Sequence, residues 1–323
     1  MAKYGIPYMG SKDKIAENIC KYFPSAENFY DLFGGGFSIS HCMLLKRKDF
    51  KEIHYNEIRP GMCELIQDAI AGKYSYERFL PRWISREDFF KNLDDPYIRI
   101  IWSFGNDGKT YMFGKDIEDF KRSMHNAVVF NEFDEFAKKH LGISKFRDGY
   151  TIKERRLFVG YKGKTRNQKQ LQQLQQLERL QQLERLEQLQ RLQQLEQLQR
   201  LQRLQQLEQL QRFEEKKQRI FFTNLSYEKV KIKQNSIIYC DPPYKGTKGY
   251  DDNVSFNHSS FLDWASEINH PVFISEYNIN DKRFRPINGI DKRSMLSKDK
   301  TVGNKCEKLY LNPCAVKTLK GKR

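Results

Sequence analysis

The sequence predicts an α/β protein built on a Rossmann-like sheet, and three observations carry that expectation. Short apolar runs alternate with helix-like stretches at both ends of the chain, the pattern of strands joined by helices. A glycine turn, Gly34-Gly35-Gly36, closely follows the first apolar run, at a strand-to-helix junction where backbone can approach a ligand. A second apolar run, Ile237-Ile238-Tyr239-Cys240, ends in Asp241-Pro242-Pro243-Tyr244, which sets a stiff acidic loop at a strand's carboxyl end.

In chain order the pattern predicts a helix over about Lys12 to Tyr22, a strand from Asn28 to Leu32, the glycine turn and a helix from Ser38 to Lys46. A short strand from Glu52 to Tyr55 and a helix from Gly61 to Ile70 complete the first half. Residues 71–166 are aromatic, charged and less regular, and Gly105-Asn106-Asp107-Gly108 suits the turn of a β-hairpin. Strands are expected again at Ile220 to Phe222, Ser236 to Cys240, Val272 to Ser275 and Lys308 to Leu311, with a helix around Ser259 to Ile268. The expected organisation is one domain from residues 1–70 and 220–323, a small domain at 71–166 and an insert at 167–219.

The insert stands apart in composition. From Leu171 to Leu210 a leucine recurs at every third position among Gln, Glu and Arg, all good helix formers, so a single α-helix of about 75 Å is expected. At about 100° per residue the leucine stripe winds round such a helix and gives no straight seam for a coiled coil. The expected role is that of a spacer or docking arm, with the leucines offering a surface for self-association.

Lys and Arg number 57 against 41 Asp and Glu, a net charge of +16, which favours a polyanionic partner such as nucleic acid. Residues 168–219 hold ten basic and seven acidic side chains, so most of the excess belongs to the flanking parts. Apolar runs long enough to span a membrane are lacking, and a cytoplasmic protein without a membrane partner is expected. The six cysteines have no paired spacing and the six histidines no ligand spacing, so neither a disulfide framework nor a metal is expected.

The acidic loop has a definite chemistry. The lone pair of an exocyclic amine is delocalised into its ring and attacks a methyl donor poorly. The Asp241 carboxylate and the Pro242 carbonyl can both accept hydrogen bonds from such a nitrogen and direct its lone pair. Pro243 stiffens the loop, and Tyr244 offers a face on which an extruded base can stack. Glu57, just after the second strand, stands where an acidic side chain bonds ribose hydroxyls.

Taken together, Tyr8-Met9-Gly10-Ser11-Lys12, Asp31-Leu32-Phe33-Gly34-Gly35-Gly36, Tyr55-Asn56-Glu57 and Asp241-Pro242-Pro243-Tyr244 resemble the Dam-type family of DNA adenine-N6 methyltransferases, in the same order along the chain. The resemblance covers about residues 4–130 and 220–280. It implies a methyltransferase domain with S-adenosylmethionine as cofactor, an inserted target-recognition domain and double-stranded DNA as partner. By it, Tyr8, Gly10 and Lys12 lie beside the cofactor, Asp31, Phe33 and the Gly34–Gly36 turn contact its amino-acid part, Glu57 holds its ribose, and Asp241 serves cofactor and target amine alike. Phe104, Asn106, Lys109 and Lys115 are similar to the family's DNA-contacting hairpin, although Lys115-Asp116 stands where GATC-reading members carry an arginine. Ser275 to Asn278 fall where the family lines its target pocket.

Two other readings remain open at this point: a methyltransferase acting on RNA or a protein amide, and a non-catalytic DNA-binding protein with a degenerate methyltransferase fold. For the insert, deletion of the 18 residues Gln172 to Leu189 removes one winding of the leucine stripe. Specific methyl-transfer activity is expected to stay within about twofold of the parent. Loss of activity in a folded, soluble deletion variant would overturn the spacer reading.

Overall fold

The computed structural model describes residues 4–74, 79–160, 219–244, 256–287 and 308–320. The helix expected at 168–219 therefore lies outside the described residues, apart from Arg219. The chain forms two compact units, one from residues 1–71 and 209–323, the other from residues 72–208.

The first unit is built on seven strands: β1 (Asn28–Asp31), β2 (Glu52–Asn56), β3 (Ile220–Thr223), β4 (Ser236–Cys240), β5 (Val272–Glu276), β6 (Arg285–Ile287) and β7 (Lys308–Leu311). Their order in the sheet is β3-β2-β1-β4-β5-β7-β6. β1 to β5 run parallel, and β7 lies antiparallel between β5 and β6, a mixed α/β sheet that fits a methyltransferase fold. The winding reverses between β1 and β4, which pair in parallel with Asp31 opposite Tyr239. Ligands of such sheets bind outside the strand ends at this reversal.

Helices cover both faces. On one, α1 (Ala16–Cys20) and α2 (Ser38–Lys46) pack with Phe23, whose ring lies 5.1 Å from those of Phe29 and Phe273 and 5.8 Å from that of Tyr239. After β2 the chain turns through Gly61 into α3 (Met62–Ile70). On the other face, Phe261 and Ala265 join Tyr30, Ile238, Val272 and Ile274 in a buried cluster.

α1 is shorter than expected, because Gly10 to Lys12 line the cavity at the strand ends and residues 13–15 form a turn. β6 and a C-terminal helix, Pro313–Lys320, were not foreseen.

The second unit corrects the picture of an irregular segment around a hairpin. It contains helices Arg86–Lys91, Pro96–Ile101, Glu118–Phe130 and Glu135–Leu141 and a helical segment at 152–160. At the expected hairpin a single antiparallel bridge joins Ser103 and Tyr111, and Phe104–Asn106 form a 3₁₀ turn. The local reason is the amide of the buried Asn106, which donates to the Ile100 carbonyl at 2.9 Å and folds the turn back onto the preceding helix. Met124, Val128, Leu141, Phe146 and Ile152 share this unit's core.

Asn312 ties the C-terminal part together. It is fully buried; its Oδ1 accepts from the Val272 and Ala315 amides at 3.0 and 2.8 Å. Its Nδ2 donates to the Ala265 and His270 carbonyls at 2.9 and 3.0 Å. Asn312→Ala strands backbone groups at the start of β5 and in the two helices beside it and is expected to cost about 3 kcal/mol, read as a lower urea midpoint at constant slope. A loss below about 1 kcal/mol would show that water replaces the amide.

Candidate active site

At the reversal point, the carboxyl ends of β1, β2 and β4 surround a cavity of about 760 Å³, within the roughly 300–1,000 Å³ range of small-molecule sites. The glycine turn forms its floor, and steric contact dictates its composition. A Cβ on Gly34 would stand 2.1 Å from the Tyr55 ring, and one on Gly36 would stand 2.5 Å from Cβ of Tyr8 and 2.9 Å from the Ile6 carbonyl. The N-terminal segment lies directly over the turn: the Ile6 amide donates to the Gly36 carbonyl at 2.7 Å. Phe37, which follows the turn, is fully buried with a left-handed φ of 69°. That conformation costs a non-glycine residue roughly 1–2 kcal/mol; the ring contacts with Tyr55 and Phe222 at 5.4 and 6.2 Å help to hold it.

Glu57 locks the turn from β2. Its carboxylate accepts from the Gly35 amide at 2.8 Å and the Arg59 amide at 3.0 Å, and the Tyr55 hydroxyl donates to the Gly35 carbonyl at 2.7 Å. Burial raises the Glu57 pKa, and the two amide hydrogen bonds partly oppose that. A carboxylate offers about four lone pairs, so two amides leave capacity for a ligand hydroxyl. Asp31, at the end of β1, is 1% exposed. Its Oδ2 accepts from Ser40 Oγ at 2.8 Å, while its Oδ1 is buried without a hydrogen-bond partner among the described residues. Burial, against the Ser40 hydrogen bond and reinforced by the nearby Asp241 charge, pushes its pKa up to about 7.

The third carboxylate, Asp241, follows β4. Lys12 Nζ lies 2.5 Å from its Oδ2, donates to the Gly10 carbonyl at 3.2 Å and stands 5.0 Å from the centre of the Tyr244 ring. Tyr277, just after β5, meets the Tyr244 ring edge-on at 4.6 Å and 80°. The sequence-derived residues Tyr8, Gly10, Lys12, Asp31, Phe33, Gly34, Gly35, Gly36, Glu57, Asp241, Pro243 and Tyr244 all line this one cavity. Pro242 is buried behind it.

Sequence reasoning missed Ile58, Arg59, Leu225 to Glu228 and Phe256 to His258, which also line the cavity. The segment after β3 could have been found from the rule that ligands gather at strand ends; the Phe256 segment carries no motif. The other candidates, Phe104, Asn106, Lys109 and Lys115, belong to the second unit. There Phe104 is 55% exposed at the tip of its turn, Lys115 is exposed and Lys109 half-buried. Asn106, expected to face DNA, is instead buried and closes the loop. Among the described residues no group of side chains could hold a metal ion, and no helix is long and apolar enough to cross a membrane.

The cavity suits S-adenosylmethionine in its donor set: a carboxyl oxygen without a partner for an ammonium group, a second carboxylate beside the glycine turn for hydroxyls, and backbone exposed by missing side chains. The comparisons agree with this geometry. A stretch of 71 residues is 32% identical to the retron Ec67 DNA adenine methylase of Escherichia coli, covering 20% of this chain and a quarter of that protein's length. The model of the family described as D12 class N6 adenine-specific DNA methyltransferase matches residues 8–272. That span takes in all the motifs and the three strand ends of the cavity, and on it the chain belongs to the D12 class of N6 adenine-specific DNA methyltransferases.

Proposed function

We propose that this chain transfers a methyl group from S-adenosylmethionine to the N6 amine of an adenine turned out of duplex DNA. The observation that carries the reading is the convergence of Asp31, the glycine turn, Glu57 and Asp241-Pro-Pro-Tyr on one cavity at the sheet's reversal point. When bound, the cofactor supplies an electrophilic methyl group. Asp31 would hold its amino-acid part, the Gly34–Gly36 backbone would lie along it, and Glu57 would accept from its ribose without giving up the turn. Asp241 and the Pro242 carbonyl take the two protons of the target amine as hydrogen-bond acceptors, which fixes the direction of the nitrogen lone pair.

Tyr244 gives the extruded base a stacking face, and Tyr277 braces that ring from its edge. Lys12 neutralises part of the carboxylate charge that accumulates where Asp31, Glu57 and Asp241 share a cavity. In the second unit, exposed Phe104 and the cations Lys109 and Lys115 serve the duplex, the cations through phosphates, which position the protein without specifying sequence. Membership of an adenine-specific DNA methyltransferase family favours this reading over RNA, a protein amide or a non-catalytic role. The 167–219 insert is retained as a spacer with a surface for self-association, and a cytoplasmic setting is in keeping with DNA as substrate.

Asp241→Ala is expected to lower methyl transfer to duplex DNA at least a thousandfold, about 4 kcal/mol of transition-state stabilisation, while duplex affinity changes little because phosphate contacts dominate it. Radiolabelled methyl transfer and a binding titration measure the two. Activity within tenfold of the parent would remove Asp241 from the chemistry.

For Glu57→Ala the expected signature is a cofactor dissociation constant raised at least tenfold by calorimetry, with a smaller change in the rate at saturating cofactor, since a ribose contact is the same before and during transfer. Unchanged cofactor affinity would leave Glu57 as a brace for the glycine turn alone.

A further inference from the structure

One atom of the cavity is left over by the architecture around it. Asp31 Oδ1 is buried and has no hydrogen-bond partner among the described residues, while Oδ2 is taken by Ser40 Oγ. Among the described residues the titratable groups around this carboxyl supply no counter-charge. Asp241 and Glu57 reach it from the ends of β4 and β2 as like charges, and Cys20, Tyr55 and Cys240 are neutral neighbours. The cavity's cations are directed elsewhere: Lys12 pairs with Asp241 at 2.5 Å, and Arg59 acts on Glu57. A buried carboxylate in that company favours its protonated form.

We propose that cofactor capture is coupled to proton release: Asp31, buried with Oδ1 unpartnered among the described residues and with Asp241 and Glu57 sharing its cavity, holds a proton in the free enzyme and gives it up when the cofactor's amino-acid ammonium group arrives beside it. The proposal rests on the reading of the cavity as an S-adenosylmethionine site. In the exchange the carboxyl O–H bond breaks, the proton passes to buffer, and a carboxylate–ammonium pair forms at the vacant oxygen. Burial and like charge set the free-enzyme pKa near 7.

The sign follows from linkage. Below about pH 7 the ligand must expel a proton, so affinity falls up to tenfold per unit as pH drops; above it, the proton is already gone and this dependence levels off. Ser40 favours the ionised form, so its hydroxyl sets where the change occurs.

The test is calorimetry of S-adenosylhomocysteine, which keeps the ammonium group and cannot react, in buffers of different ionisation enthalpy at pH 6.0. With a pKa of about 7, about 0.9 proton is expected to be released per ligand bound. Methylthioadenosine, which lacks the amino-acid part, is expected to bind with almost none. Asp31→Asn, nearly isosteric, is expected to abolish release, and Ser40→Ala to keep it while moving its midpoint to higher pH. Tight binding of S-adenosylhomocysteine without proton release, or equal release with methylthioadenosine, would overturn the coupling and leave the cofactor site standing. Failure of both ligands to bind would overturn the cofactor site and the coupling with it. Should Asp31→Asn fail to fold, the two-ligand comparison and Ser40→Ala decide.

Discussion

The parallel pairing of β1 with β4 is the constraint from which the site follows. These strands lie next to each other in the sheet yet their connections leave in opposite directions, one towards β2 and the other towards β5. Among the described residues no crossover covers the groove between their carboxyl ends, and a cavity opens there. The register, with Asp31 opposite Tyr239, brings the start of the glycine motif level with the approach to Asp241. Two carboxylates more than two hundred residues apart in sequence thereby act on the same space.

That proximity is electrostatically unfavourable in the absence of a ligand. Asp31 and Glu57 are buried and their pKa values raised, and Asp241 adds a third charge, compensated by Lys12. Left-handed Phe37 adds local strain beside them. Stability is given up at the cavity and recovered in the packed faces, where Phe23, Phe29 and Phe273 on one side and Phe261, Ile238 and Val272 on the other are almost fully buried. A strained aromatic backbone and three carboxylates gathered at one candidate site is a distribution expected of a preorganised active centre.

Much of this was legible in the sequence where local pattern and tertiary burial agree. β4 and β7 coincide with their apolar runs, and α2 begins and ends where the glycine turn and Lys46 place it. Asp31, the glycine turn, Glu57 and Asp241-Pro-Pro-Tyr could be gathered into one site because each lies at or just after a strand end that the sequence also shows. β6 could not be read, since Arg285-Pro286-Ile287 is an exposed edge without periodicity. The C-terminal helix was legible in principle: Asn312-Pro313 is a cap followed by proline at the first helical position, but the segment is short and rich in lysine. The second unit was misjudged because two of its helices, Arg86–Lys91 and Pro96–Ile101, have six residues each, too few turns to show an apolar period.

The position of the strands along the chain also decides when the enzyme can assemble. β1 and β2 are made early, yet β1 lacks its central neighbour until β4 has been synthesised about 200 residues later, and the edge strand beside β2 is almost as late. The N-terminal piece must wait with two apolar sheet edges open, in a topology dominated by distant contacts and therefore slow to close. Lengthening the intervening chain adds little to the free-energy cost of closure, about 0.6 kcal/mol for each doubling. A long insertion between β2 and β3 is therefore cheap at equilibrium and consequential during synthesis, because it prolongs the time for which the unfinished sheet is exposed.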